Sequence, residues 1–548
     1  GVYLYGLGNG GKVNAEDTTD RKATYSTAET RLAIRGFIHD DTVINKYIPR
    51  KGQTDSDTNT NIYAYPNNNL YNTYIRVKDK YTDYNSSFLT ISINDTAQAK
   101  DQNQTQAFFY GLDIENISSN DGGFANLYYV NSFAMEHCRI DNVKAYRGGV
   151  VSVDFDNRKF FDTSSGANPM NQYIDVAHNR IENCGLLNDN ADEDWGTVGE
   201  YGNGTYVSYT SGTLADNKIF APHINGLFLM ENYDGGSNGS DYRTIRGNQF
   251  ENNTLSRYGI AGVDGYLIYL TYDSQGSNTT SVRDNNFVNN RAGVLHVENR
   301  YNDTHTTTNA IQGTINFDNN TVRENTMFQS GFTGTNRPLT LGVLDFDKFS
   351  KVYINTSTYV TSQQTISLNS GIGTGAVKLA NVDYFTVYKT AFNRNSNDSS
   401  LGTTNVHAGH AGAGAIYIST CSEANIGNTT ELQTYKVSFS NNEINVGSAL
   451  ASDEAAGAIY ARDVKALNIN DATFYANKGV NGNAIAMVGV GSDTGLNIYG
   501  STFTNNDILV NYTNAKGGAI YYKGDDAHAY THAFYTSYYL TNTNRNTF

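Results

Sequence analysis

The chain has 548 residues, 70 of them Asn, with 52 Gly, 41 Tyr, 25 Phe, 5 Pro and 3 Cys, and its formal net charge is -15. An aromatic content of 12% excludes a disordered chain, and the shortage of Ala, Glu, Lys, Leu and Arg excludes a coiled coil. No apolar run of about 18 residues exists to form a membrane-spanning helix, and the negative charge repels nucleic-acid phosphates, so no nucleic-acid partner is expected.

Residues 1–100 carry few repeat motifs. Gly6-Leu7-Gly8-Asn9-Gly10-Gly11 follows the apolar Val2 to Tyr5 and has the letters of a dinucleotide fingerprint. The fingerprint needs a helix next, and Lys12 to Ser26 is polar and without apolar period, so the glycines read as a loop. Short strands are predicted at Tyr74 to Val77 and Phe88 to Ile93. This stretch is assigned as an N-terminal cap or interaction region, and 101–548 as a solenoid ending in a Tyr-rich strand.

From residue 101 the chain repeats. Phe-x-Asn-Asn starts at Phe250, Phe287, Phe317, Phe439 and Phe503, and looser Phe-x-x-Asn copies start at Phe392 and Phe474. Ile140-Asp141-Asn142, Ile181-Glu182-Asn183 and Ile219 read as further relatives. A second motif is interleaved: Gly414-Ala415-Ile416-Tyr417, Gly457-Ala458-Ile459-Tyr460, Gly518-Ala519-Ile520-Tyr521, the variant Asn483-Ala484-Ile485-Ala486, and Gly148-Gly149-Val150-Val151 as an early equivalent. Short segments of apolar and polar residues lie between Asn, Asp and Gly, and helical periodicity is hard to find. A period of roughly 30 to 40 residues built from short strands is a parallel β-helix coil. In such a stack Phe would lie on Phe, Asn would form an amide ladder, and Asn would also serve at left-handed corners. Gly before Ala-Ile would allow a tight corner.

The paired motifs Phe-x-x-Asn and Gly-Gly-Ala-Ile resemble the repeats of chlamydial polymorphic outer-membrane protein passengers, which are adhesin-like surface proteins. The match is loose over 100–540 and best over 437–524. The resemblance implies an all-β, single-stranded right-handed parallel β-helix, surface display and adhesion. It departs from the family in that no membrane-barrel pattern follows the repeats.

Cys138 and Cys184 lie in neighbouring repeats and are the candidate disulfide; three buried free thiols are the alternative. Asn-x-Ser/Thr sites, candidates for N-linked glycans, occur at Asn85, Asn94, Asn103, Asn116, Asn203, Asn238, Asn252, Asn278, Asn302, Asn319, Asn355, Asn397, Asn428 and Asn511. Asp189, Asp192 and Asp194 lie in the densest acidic run, a weak candidate for Ca2+ that reads better as a solvated loop. No other cofactor is expected. His407 with His410, and His528 with His532, have metal-like spacing but no Cys or Glu partner.

Asp154 and Asp156 with Arg158 and Lys159, and Asp345 and Asp347 with Lys348, place carboxylates two apart on one strand face. Polysaccharide-cleaving β-helices use such groups, but no complete catalytic signature accompanies them. They read as solvated faces, and no catalytic residue is assigned. The final strand, His528 to Tyr539, is Tyr-rich and has no Asp, Glu, Lys or Arg; with Tyr521 before it, Tyr530, Phe534, Tyr535, Tyr538 and Tyr539 are candidate contacts for end-to-end self-assembly. The resulting expectation is an extracellular or cell-surface structural glycoprotein, a fibre subunit or adhesin, whose partners are its own copies, glycans or cell surfaces. The alternatives are a polysaccharide lyase or hydrolase, and a monomeric sugar-binding surface protein.

Overall fold

The structure, a computed structural model, describes residues 2–5, 29–35, 74–76, 87–92, 104–130, 132–155, 173–186, 226–233, 243–255, 262–263, 265–272, 279–300, 312–327, 329–330, 340–397, 412–428, 435–444, 455–489, 495–508, 517–524 and 533–536. Every regular element among them is a β-strand. The strands pair in parallel from coil to coil, the arrangement of a parallel β-helix.

One row of paired residues runs the length of the stack: Val2, Leu89, Ala125, Val151, Phe228, Ile268, Leu295, Leu344, Val377, Ile416, Ile459, Ile485 and Ile520. These residues number coils 1 to 13. The Gly-Ala-Ile copies all enter this row, as does the early copy at Val151. Among the described residues, 1–100 contribute four strands, Val2–Tyr5, Glu29–Arg35, Tyr74–Arg76 and Leu89–Ser92, each in parallel register with the strands that follow.

A typical coil has three strands, such as Tyr266–Tyr272, Thr279–Arg283 and Asn286–Val288 in coil 6. The third strands form their own sheet, whose central inward row reads Ile140, Ile181, Phe250, Phe287, Val322, Ile366, Phe392, Phe439, Phe474 and Phe503. All of these are buried. Phe392, Phe439, Phe474 and Phe503 stack with centroids 4.9, 4.9 and 4.7 Å apart, the spacing of neighbouring strands. In one continuous core of this kind each coil buries its apolar row against two others.

One repeat assignment changes. Phe317 belongs to the second strand, paired with Val282 and Ile354, so its Asn319-Asn320 turns the other corner of the coil. Both corners share one grammar, an apolar residue, a spacer, a left-handed residue and an Asn, and the sequence motif does not distinguish them. The expected copy at Ile219 lies outside the described residues. Residues 187–225 lie outside the described residues, and Arg180–Glu182 pairs directly with Gln249–Glu251.

The corner residues divide the work expected of Asn. The first residue of each Asn pair takes the left-handed conformation, with φ 57° at Asn252, 54° at Asn289 and 54° at Asn441. The second points inward and builds the ladder. Asn290 is typical. Its Oδ1 accepts from Asn253 N and Nδ2 at 3.0 and 2.9 Å, and its Nδ2 donates to Phe250 O and Asn325 Oδ1 at 3.1 and 2.8 Å. The pattern continues through Asn325, Asn369, Asn395, Asn442 and Asn477 to Asn506. A buried amide with every donor and acceptor satisfied locks neighbouring coils in register without leaving an orphaned polar group. A second, shorter ladder at the other corner joins Asn179, Asn248, Asn285 and Asn320 and ends at Gln364.

The glycine of the Gly-Ala-Ile motif has a different task from the expected corner. A Cβ on Gly414 would lie 2.0 Å from the Gly457 carbonyl oxygen, and one on Gly457 would lie 1.9 Å from that of Asn483. The next coil's backbone passes too close for a side chain.

Candidate functional site

The two corner ladders decide the cysteines. Cys138 N donates to Asn179 Oδ1, so Cys138 stands at the end of the shorter ladder; Cys184 N donates to Asn253 Oδ1, so Cys184 stands at the end of the longer one. The two positions lie at opposite ends of a third strand, five residues apart in coil register, which is roughly 15 Å for extended chain. A disulfide needs Cα atoms within about 7 Å, so the expected Cys138–Cys184 bridge does not form. Cys138, Cys184 and Cys421 are all free and buried. Burial pushes each thiol up to about 12, which makes the nucleophilic thiolate scarce.

Of the glycan candidates, Asn116, Asn252 and Asn319 are exposed corner residues with φ 58°, 57° and 52°. Asn428 is half-buried. Asn355 and Asn397 are withdrawn as glycan sites, because both are buried and the Asn355 Nδ2, the atom a glycan would occupy, donates to Lys389 O at 2.7 Å. Asn85, Asn94, Asn103, Asn203, Asn238, Asn278, Asn302 and Asn511 lie outside the described residues. So do Asp189, Asp192, Asp194, the four spaced histidines, Asp156, Arg158, Lys159, Tyr530, Tyr538 and Tyr539. Among the described residues no group of three or more His, Cys, Asp or Glu is placed to hold a metal ion. Tyr521 is half-buried against the cluster of Tyr417, Tyr460 and Ala486. Phe534 and Tyr535 sit in the strand Ala533–Thr536, paired with Leu496 and Asn497.

A polar site emerges on the outward side of the first strands. Each residue three places after the motif glycine falls in one outward row. There Leu229, Tyr269, His296, Asp345, Lys378, Tyr417 and Tyr460 pair in succession. Apolar and aromatic clusters occupy both ends of this row, and His296, Asp345 and Lys378 form a polar window between them.

Asp345 has no solvent exposure, so it is not the solvated face the sequence suggested. Lys378 Nζ donates to its two oxygens at 3.1 and 3.3 Å, and Tyr266 Oη reaches it at 3.4 Å. His296 stacks on Tyr269 with centroids 4.7 Å apart. Its Nδ1 lies 3.8 Å from Asp345 and its Nε2 lies 3.8 Å from Glu298. Two residues along the strand, Glu298 pairs in register with Asp347 of the next coil. Glu298 accepts from Arg300 at 2.9 Å and Lys348 at 3.2 Å. Asp347 accepts from Asn381 Nδ2 at 3.0 Å.

The electrostatics follow from these contacts. Burial alone would raise the Glu298 carboxyl, but His296, Arg300 and Lys348 outweigh it and hold it well below the usual range. Burial alone would lower the Lys378 ammonium, but Asp345 and Asp347 outweigh it and hold it charged. Burial raises Asp347, with Lys378 opposing. Burial and the Asp345 charge push the Tyr266 phenol well above its ordinary value. The window is thus a compact, charge-matched set of acids and bases set between aromatic rings.

Sequence reasoning found Asp345, Asp347 and Lys348 but missed His296, Glu298, Arg300, Lys378, Tyr266 and Tyr269. The signal was present, because Gly293, Gly342 and Gly375 each precede their row residue by three. Comparison with protein-family models, with curated proteins and with solved structures returns no match to this chain.

Proposed function

We propose that the chain serves as an elongated extracellular or cell-surface rod, a fibre subunit or adhesin, in keeping with its resemblance to surface β-helix repeats. The observation that carries this reading is the unbroken amide ladder from Cys184 to Asn506, which clamps coil to coil along one edge of the stack. A rod built this way is stiff, and its stability is local to each coil interface. The strands Ile520–Lys523 and Ala533–Thr536 keep the register of the coils before them, which supports end-to-end stacking of copies. Exposed Asn116, Asn252 and Asn319 suit N-linked glycans, and their loss on enzymatic deglycosylation is measurable by mass. Negative-stain electron microscopy of the native material at low concentration tests the assembly. Filaments that Tyr521→Ala dissolves support the fibre, and isolated rods at all concentrations remove it and leave the adhesin.

A second reading is glycan handling, as a carbohydrate-active enzyme or a sugar-binding rod. It is favoured by the pairing of Glu298 with Asp347 and of His296 with Asp345 across neighbouring coils. Screening polysaccharides for binding and cleavage tests it.

A further inference from the structure

We propose that Lys378 and Asp345 condense to an isopeptide bond, a covalent staple between coils 8 and 9. The proposal stands apart from the rod and glycan readings and holds or fails without them.

The two residues face each other in adjacent coils, because Asp345 pairs with Lys378 in the outward row. Asp345 has no solvent exposure, and the Lys378 side chain is only 16% exposed. Lys378 Nζ lies 3.1 Å from Asp345 Oδ1 and 3.3 Å from Oδ2. Near-equal distances set it opposite Cγ rather than beside one oxygen. With carbon–oxygen bonds of about 1.23 Å, Nζ is then about 3–3.6 Å from Cγ, which overlaps the near-attack range of about 3–3.5 Å. Aromatic side chains surround the pair. Tyr266 is fully buried with its Oη 3.4 Å from Oδ2, and Tyr417 follows Lys378 in the row. Two charges held away from water in this way are costly. A neutral amide in their place removes both, and the water it releases passes to solvent.

The step balances within the site. The charged pair is the resting form. Burial favours the uncharged form of each partner, so one Nζ proton passes to Asp345 and leaves a neutral amine facing a neutral carboxyl. The amine nitrogen attacks Cγ, the N–C bond forms and one C–O bond breaks. A second Nζ proton goes with the departing hydroxyl, which leaves as water, and the third stays on the amide. No oxidant or cofactor enters. Asp347 is placed to carry the second proton. It lies two residues from Asp345 on the same outward face and pairs with Ala380, two residues from Lys378. Burial raises its carboxyl, with Lys378 opposing. It can therefore take a proton from the attacking nitrogen and return it to the leaving oxygen. The oxygen that stays, Oδ2, keeps the Tyr266 hydroxyl beside it, and Oδ1 leaves on the side of the open His296 Nδ1, 3.8 Å away. The bond encloses one whole coil, so tension on the ends of the stack cannot unwind the chain between its two residues.

The test is mass spectrometry of the full chain after denaturation and tryptic digestion. Trypsin cuts after Arg323, Lys348, Lys351 and Lys389 but not after Arg337, which precedes Pro338. It does not cut after a Lys378 whose amine is acylated. The expected product is a branched peptide joining 324–348 to 352–389, lighter by one water than the two together, with fragmentation placing the bond on Asp345. Lys378→Met and Asp345→Ala should each abolish it, and Asp347→Asn should lower the linked fraction at least ten-fold. The wild-type digest decides without any variant. Recovery of 324–348 and 352–378 only as separate linear peptides overturns the proposal. A bond on Asp347 overturns the roles given to the two carboxylates, and an undiminished linked fraction in Asp347→Asn overturns the proton relay.

Discussion

Coils 4 to 7 and coils 8 to 11 hold their register by different means. In coils 4 to 7 the first and second strands are separate, as in Gly293–Asn299 and Thr314–Asp318. Both corners flanking the third strand then carry amide ladders, Asn179 to Asn320 on one side and Asn253 to Asn325 on the other. In coils 8 to 11 the first two strands fuse into Leu344–Ile354, Val377–Val387, Ile416–Ile426 and Ile459–Asn470. Each bends at one left-handed residue, Lys348, Asn381, Thr420 or Asp463. There the shorter ladder ends at Gln364, and its next positions hold Thr390, Val437 and Ala472, all buried. At that corner continuous backbone pairing takes the place of side-chain amides, while Asn425, Asn468 and Asn497 form a separate amide row along the second strands. The longer ladder runs through both regions, because the third strands stay short throughout.

The largest test of this contrast removes a shared element. Phe439→Ala opens the aromatic stack between Phe392 and Phe474 and is expected to cost about 3–5 kcal/mol, read by urea unfolding. Next, Asn395→Ala deletes the corner amide of coil 9: Ile366 O and Asn369 N lose their bonds to it, and Asn369 Nδ2 and Asn442 Oδ1 lose one of two each. A loss of at least about 3 kcal/mol is expected, since each orphaned group costs about 1–3. Thr390→Val, at the position where the shorter ladder has lapsed, is expected to cost only about 1 kcal/mol, the bond from Thr390 Oγ1 to Tyr388 O. Equal losses for the two substitutions would show that the corners are not held differently.

The polar window lies where the two regions meet, and pH reports on it. The Glu298 carboxyl is held below its unfolded value of 4.5. Its contribution is therefore complete above that pH and lost as the pH falls through the folded value. The acid limb of the thermal midpoint should flatten in Glu298→Gln, and an unchanged limb would contradict the assignment. A smaller effect is expected at Thr420, a β-branched residue at φ 58°. Thr420→Asn relieves that backbone and should stabilise by about 1 kcal/mol, visible as a raised midpoint of coils 8 to 11 in hydrogen exchange. The smallest effect concerns the cysteines. Reductant should leave the unfolding midpoint unchanged, and a thiol reagent should label Cys138, Cys184 and Cys421 only after denaturant is added. A Cys138–Cys184 peptide whose cysteines are alkylated in denaturant only after reduction would reverse that assignment.

The legible features were those that repeat. Phe250, Phe287, Phe439 and Phe503 could be aligned by eye because every coil asks the same thing of that position. Gly414 and Gly457 were legible for the same reason, although their task is to admit the next backbone rather than to turn a corner. Phe317 misled because the two corners of a coil obey one local rule, and only pairing tells them apart. His296, Glu298 and Lys378 stayed hidden because they break the repeat, and residues that differ between coils have no periodic signal of their own.

The sequence by itself determined the parallel coil, its inward Phe and Ile rows and its Asn corners, because these depend on residue type at a fixed local spacing. Tertiary structure alone decided which row each residue joins, and with it the separation of Cys138 from Cys184, the burial of Asn355 and Asn397, and the meeting of His296 with Asp345. Those outcomes depend on how loops of unequal length return each strand to the stack, and on which side of a coil its neighbour passes. No local preference encodes that; it is settled when the coils pair.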